Sequence, residues 1–567
     1  MKIRLIAALV AIFLSPAVVL SGECTAQFTA GILDAGKVLV KTHHTLTARL
    51  VNSSSDTIYL RGVKIAQNTE IFTVENASSG AIPPKSNRDF IFTAFSLHNL
   101  IYTAVAFAQL RCSVGEYSLP ITLTAEFIYP DSTYNFTQNL VGSALATALS
   151  LYLQPQTSYT YKQAREYMWG SIDNRNGTVE CVYTGRIVST KGIPDASKFN
   201  TEHTWPQSKG SDTGPANTDL FHLYPTWAPA NSARSNNPFG IVAQSIYWQD
   251  GGSKAGFVAI GKNDSIFEPR NTHKGNVARS MFYYCTRYGN RQGTYDKEGF
   301  LTVQEDVLRE WNNLDTVDAA ERARNEAIYA LQKRRNPYID HPEFIERINK
   351  LSAQRDFPPY PRLAASDERV IFSFYGSDDQ ERELSVYVAN TGTEDAMIVS
   401  ASVSPDTDSN FTVTDITPKE LTVANWTRIK IRAKRPKTGN IDGTLKIRFA
   451  DGLPSIPIAV SATASQPSAI EESSLAQEQI TQITDCTPHP VLDEATVAFS
   501  VPEYLAASAR IIFYAPNGRL LADVTPNIIR QNGYSYVKFH RYDLPTGFII
   551  VRLLTSTSSD ARIIILE

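Results

Sequence analysis

The sequence predicts a multidomain protein: an α+β domain set between β-sandwich domains, with a further β domain closing the chain. Three observations carry this. A chain of 567 residues is longer than one hydrophobic core organises. Apolar and polar residues alternate over residues 27–135 and again over 366–465, the period of half-buried strands. Between them, residues 140–362 turn to helical periodicity in YKQAREYMWG and in the long stretch VQEDVLREWNNLDTVDAAERARNEAIYALQKRR, with strand-like pieces in between.

Taken in order, residues 1–26 read as an export signal: Lys2 and Arg4, the apolar run LIAALVAIFL, then Pro16 and small residues up to Gly22. No later segment is long and apolar enough to span a membrane, so the mature chain is expected to carry no transmembrane segment. In residues 27–135, Leu46, Ala48 and Leu50 share one strand face, and Asn52 opens a Ser-rich turn. In residues 366–465, Leu384, Val386 and Val388 do the same before an Asn-Thr-Gly turn. Each passage then reaches an aromatic strand, at Phe72 and Phe411, and a later alternating strand, RDFIFTA and TRIKIRA. We read these as two copies of one immunoglobulin-like β-sandwich. Residues 466–485 are Ser/Glu/Gln-rich and form a linker, and residues 486–567 return to β. An exported chain permits disulfides, and the candidates are Cys24 with Cys112 in the first domain and Cys181 with Cys285 in the second, with small buried thiols as the alternative.

The chemistry concentrates in FNTEHTWPQS and the following TDLFHLYPTWAPANSARSNNPFG. Hydrolysing a phosphodiester needs an activated water, stabilisation of charge on the phosphorus centre and help for the leaving oxygen. His203 supplies an imidazole that takes a proton near neutrality. Glu202 and Asn231 supply hard oxygen donors, which suit Mg²⁺, with Ca²⁺ or Mn²⁺ as alternatives, better than zinc. Adjacent strand residues face opposite ways, so Glu202 and His203 are expected at a strand end or bulge. Asn231, Arg234 and Ser235 share a face if APANSARSN is helical, which lets Arg234 reach a phosphate. His222 reads as a structural partner, and a zinc set of His203, His222 and His273 lacks the tight spacing such sites use. The formal net charge of −3 excludes a globally basic nucleic-acid binder but not a local groove. Lys274, Arg279 and Arg287, with Arg335 of the Lys333–Arg335 run, are expected to line that groove.

The ordered blocks EHTWPQS, DLFHLYPT, ANSARSNNPFG and FEPRNTHKGNVARSMFYYCTRY, with YTYKQAREYMWGSID before them and RNEAIYALQKRRNPYIDHPEF after, resemble the endonuclease I family over nearly all of the middle domain. The resemblance implies a ββα-metal (His-Me finger) core and a secreted nuclease that cuts DNA, and often RNA, with little sequence preference. It implies His203 as general base, Glu202 and Asn231 as metal ligands, Arg234 as a holder of the site or the scissile phosphate, and 5′-phosphate products. Some relatives carry an acidic residue two positions before Asp219; here Asn217 stands there, so no third acidic ligand is expected. The pieces CTPHPV, DLPTGFIIVRLL and ARIIILE resemble a type IX secretion sorting domain, with His489 and Phe548 departing from the usual Asn and Tyr. That resemblance implies the secretion machinery as a partner and a protein released outside the cell or attached to its surface. The expected protein is a monomeric, secreted, metal-dependent endonuclease acting on DNA, with RNA as a further candidate substrate. The alternative is a surface adhesin whose nuclease-like domain is inactive; the presence of Glu202, His203 and Asn231 together speaks for the enzyme.

Overall fold

The computed structural model describes residues 24–566 except 259–264, 290–298, 353–361, 376–379, 406–409, 438, 451, 466–480, 488–493, 502, 515–519, 532–533, 541–543, 545–546 and 556–558. Residues 1–23, most of the linker and residues 488–491 of CTPHPV therefore lie outside the described residues. The signal boundary at residue 26 is corrected: Cys24 is buried in a disulfide and Ala26 opens the first strand, so residues 24–26 belong to the folded β region. The chain divides into two compact units, one holding residues 101–127 and 359–567 with the N-terminal residues up to 96, the other holding 97–100 and 128–358. Among the described residues, no helix is long and apolar enough to cross a membrane.

The first unit is strand-rich, and the internal repeat read from the sequence reappears as topology. One four-stranded sheet runs in the order Ala26–Phe28, His44–Asn52, Asn87–Ala94, Phe72–Glu75; another runs Leu363–Ala365, Glu381–Asn390, Trp426–Lys434, Phe411–Thr417. The two orders correspond strand for strand. Both copies also share a device at the end of the second strand listed. Asn52 donates its amide to the carbonyls of Asp56 and Ile82 and accepts from the Ser54 N–H. Asn390 donates to Glu394 and Leu421 and accepts from Gly392 N–H. In each, a buried Asn satisfies turn backbone that the ladder leaves unpaired. Leu46 lies on the same strand face as buried Ala48 and Leu50, as the alternation requires. Leu384, Val386 and Val388 are buried too, but so are Ser385 and Tyr387 between them and Ala389 after them, because that strand is covered on both faces.

The sheets of the two copies merge through a single antiparallel pairing, Phe372 opposite Gly115. Only glycine fits there: φ is +141° at Gly115, and a Cβ would stand 2.0 Å from the Ile371 carbonyl oxygen. Cys24 and Cys112 form a disulfide. The C-terminal residues make two further four-stranded sheets around a core that includes Val497, Phe513, Val537, Ile549 and Val551. The first of these strands, Gln482–Thr487, begins within the stretch read as linker.

The second unit is α+β and carries helices α1 (Gly142–Tyr152), α2 (Tyr161–Tyr167), α3 (Ala228–Arg234), α4 (Lys274–Tyr288), α5 (Glu305–Leu314) and α6 (Ala319–Gln332). Thr160 and Gln163 close a reciprocal capping box at the start of α2. Asp318 caps α6 by accepting from Glu321 N–H at 2.7 Å. Helix α4 is the central element: every residue but Asn276 is buried. Gly275 permits that packing, since a Cβ there would fall 2.0 Å from the Asp315 carbonyl oxygen.

Candidate nuclease site

Two antiparallel strands, Phe199–His203 and Leu223–Trp227, pair with Glu202 opposite Tyr224 and His203 opposite Leu223. Helix α3 follows directly, with a proline in its first turn, and stops where Ser235 adopts φ +52°. This strand–strand–helix arrangement gathers the residues that the sequence singled out. His203 is the last residue of its strand, the strand end that adjacent Glu202 and His203 demand, and both are buried.

Glu202 is held by two contacts, both on Oε1: the Tyr183 hydroxyl donates at 2.9 Å and Arg234 Nε stands at 2.9 Å. Burial pushes the Glu202 carboxyl up to about 7, with Arg234 and Tyr183 pulling the other way. Arg234 is fully buried, and its remaining nitrogens donate to backbone carbonyls: Nη2 to Thr204 at 2.8 Å, Nη1 to Asn237 at 2.7 Å. Its guanidinium also lies 4.4 Å from the Phe239 ring centroid. Of the two roles entertained for Arg234, the geometry is that of a residue holding the site together, because no face of it is left for a phosphate.

His203 Nε2 lies 3.2 Å from the Asn217 carbonyl oxygen. A carbonyl only accepts, so Nε2 carries the proton and Nδ1 is the basic nitrogen. Burial, then the neighbouring His222, pushes the imidazolium down to about 3, so the ring is neutral across physiological pH. His222 packs against it with ring centroids 5.6 Å apart. Asn217, the position without the acidic residue, contributes its backbone; its side chain turns to the Asp212 carbonyl instead.

Asn231, half-buried on α3, donates its amide to Asn200 Oδ1 at 2.9 Å and to the Thr201 carbonyl at 3.4 Å. Both contacts use the nitrogen, which fixes the amide and leaves Oδ1 as a donor oxygen. Asn200 is a functional neighbour the sequence reading missed. It stands two residues before Glu202 and opposite Thr226 in the hairpin, a register from which it could have been found.

Asp219 was also read only as part of a motif. It is a buried hub: Oδ2 accepts from Gln156 at 3.0 Å, Tyr283 at 2.9 Å and Tyr288 at 2.7 Å, and Oδ1 accepts from Gln332 at 2.9 Å. Burial alone would raise its carboxyl; Arg287, His222 and these donors outweigh burial and hold it below the usual aspartate value.

The basic groove expected from Lys274, Arg279, Arg287 and Arg335 is corrected by the structure. Lys274 is buried, with Nζ 2.8 Å from Glu268. Arg279 grips Glu321 through two hydrogen bonds of 2.8 and 2.6 Å. Arg287 lies 3.4 Å from Asp219. Arg335 is bound by Asp340 and Glu326. The first three sit on α4, a helix apolar enough on all sides to be enclosed, so its cations turn inward to carboxylates. The second expected disulfide is likewise corrected: Cys181 and Cys285 are buried thiols, not a bonded pair. The zinc set is not gathered either. Among the described residues, no group of three or more His, Cys, Asp or Glu is placed to hold a metal ion. His273 packs instead between the rings of Tyr183 and Tyr224.

The hairpin end and the next helix thus bring together a neutral imidazole, a buried carboxyl beside it and an amide whose nitrogen is fixed, residue types that suit hydrolytic chemistry. The endonuclease I family profile matches residues 140–343, and the chain belongs to that family. It is 33% identical over 246 residues to the extracellular ribonuclease of Bacillus subtilis (strain 168), covering 40% of this chain and 80% of that protein. It is 32% identical over 228 residues to the extracellular ribonuclease of Bacillus amyloliquefaciens, covering 36% of this chain and 74% of that protein.

Proposed function

We propose that this chain is an exported nuclease that hydrolyses phosphodiester bonds of RNA and DNA with little sequence preference, leaving 5′-phosphate ends. The observation that carries the reading is His203: a neutral imidazole, its Nε2 bound to the Asn217 carbonyl, standing at the strand end beside Glu202. His203 Nδ1 takes the proton of the attacking water. Arg234 and Tyr183 fix the Glu202 carboxylate, and Asn200 fixes the Asn231 amide.

Glu202 and Asn231 fit a divalent cation, Mg²⁺ first and Ca²⁺ or Mn²⁺ as alternatives. Both protein contacts of Glu202 fall on one oxygen, and the Asn231 side chain has only its nitrogen engaged. Such a cation supplies Lewis-acid stabilisation of the phosphorane and of the leaving oxygen. The names of the Bacillus relatives support RNA as a substrate and action outside the cell. Export is further supported by the N-terminal sequence and by the Cys24–Cys112 disulfide, which suits an oxidising compartment. The C-terminal β region then serves as a type IX sorting domain, and the secreted enzyme acts as a monomer.

The test incubates the purified chain with plasmid DNA and with RNA, with Mg²⁺ and with chelator, beside His203→Ala. Loss of cleavage by about 10²–10⁴-fold in the variant is expected of a general base, and chelator is expected to stop the wild type. An active His203→Ala would overturn the assignment.

A further inference from the structure

Helix α2 carries a pair of side chains that the hydrolytic centre does not use. Tyr161 and Arg165 are one turn apart, so they share a face of the helix. Tyr161 is 37% exposed, yet its ring lies beside the His203 imidazole, with centroids 5.8 Å apart and planes 26° from parallel. The Arg165 guanidinium stands 5.6 Å from the Tyr161 ring centroid, and its Nε donates to Thr201 Oγ1 at 3.2 Å, on the residue before Glu202. Among the described residues, no carboxylate lies within ion-pair distance of Arg165, whereas Lys274, Arg279, Arg287 and Arg335 each have one. A part-exposed aromatic ring and an unneutralised guanidinium therefore frame the edge of the site where water is activated. The Thr160–Gln163 capping box holds the helix start from which Tyr161 projects.

We propose that Tyr161 and Arg165 form a nucleotide subsite: the base next to the scissile linkage packs on the Tyr161 ring, and its neighbouring phosphate pairs with Arg165. The inference rests on the nuclease reading above and adds a substrate class to it. A base lying on Tyr161 has left its own stack, so the subsite favours single-stranded or locally unpaired nucleic acid over duplex. Every base offers a π face, so the subsite contributes binding without sequence choice.

The test uses the full chain and two short single strands with one cleavable phosphodiester, all other linkages being methylphosphonates. One strand carries bases on both sides of that linkage; the other is abasic there. The wild type is expected to cut the base-bearing strand with about tenfold higher kcat/KM. Tyr161→Phe is expected to keep that preference, and Tyr161→Ala to cut both strands at about the abasic rate. On an all-phosphodiester single strand held uncut in chelator, Arg165→Ala is expected to weaken binding and to lower the slope of log affinity against log salt by about one. On the methylphosphonate strands, whose neighbouring linkages are uncharged, it should change little, and an unchanged slope on the charged strand would overturn the Arg165 half of the subsite. Melting curves of the variants confirm that they fold. Equal loss on both strands in Tyr161→Ala would show that the ring merely props His203, and would overturn the subsite. So would a wild type that cuts the two strands alike. A wild type that cuts neither plasmid DNA nor RNA would bring down the nuclease reading; one that cuts both but neither of these strands would overturn the subsite alone.

Discussion

The strand Trp426–Lys434 and helix α4 are both rich in basic residues, and they dispose of them in opposite ways. In the strand, Thr427, Ile429, Ile431 and Ala433 are buried, while Arg428, Lys430, Arg432 and Lys434 alternate outward. In the helix, Lys274, Arg279 and Arg287 are buried along with nearly everything else, and each meets a carboxylate supplied from outside the helix. A period of two sorts charge from core by itself. A helix enclosed on all sides cannot do so, and its charges survive burial only by being paired and hydrogen-bonded. The lesson for function is direct: in the nuclease unit, a cation belongs to the substrate-facing surface only if no carboxylate has claimed it.

Three measurements press on this contrast. The largest effect is expected at Asp219. Asp219→Asn leaves Arg287 buried without its counter-charge and should cost about 3–5 kcal/mol in urea unfolding of the nuclease unit; a variant as stable as wild type would break the contrast. The same residue sets an acid limit. Its carboxyl is held below the unfolded value, so its contribution is full above about pH 4 and is lost as pH falls through the lower folded value. Asp219→Asn should flatten that acid limb of the stability curve. Next, Cys112→Ala removes a cross-link between residues 88 apart and should cost the first β-sheet region about 2–4 kcal/mol, seen as a lower melting midpoint, with cleavage activity retained. Smallest is Arg49→Ala. Arg49 and Asp89 are paired directly across exposed strands, and melting should not move measurably.

The juxtaposition of the candidate site residues was legible because its parts are local. Glu202, His203 and Asn231 fall in one hairpin and the helix that follows it, where spacing along the chain nearly is geometry. The internal repeat of strands was legible because alternation repeats with its turn Asn in both copies, Asn52 and Asn390. Asp219 was not legible as a hub, since Gln156, Tyr283, Tyr288 and Gln332 reach it from distant parts of the chain. The cations of α4 were not legible as buried, because their carboxylate partners Glu268, Glu321 and Asp219 lie outside KGNVARSMFYYCTRY, and a basic residue in a local stretch does not reveal what it will be paired with. Arg165 was within reach: the four-residue step from Tyr161 puts both on one face, and the acidic neighbour, Glu166, turns to Lys162.

The nuclease unit is an insertion. The chain leaves the strand-rich body after residue 127 and returns to it from residue 359, so the same folded body holds both ends of residues 128–358. A protease that severs one connection therefore leaves the enzyme attached by the other, and shedding it takes two cuts. Unfolding the inserted unit also opens a tethered loop rather than a free tail. A loop gains less conformational freedom than a tail, so the body that carries the enzyme also makes its unfolding less favourable.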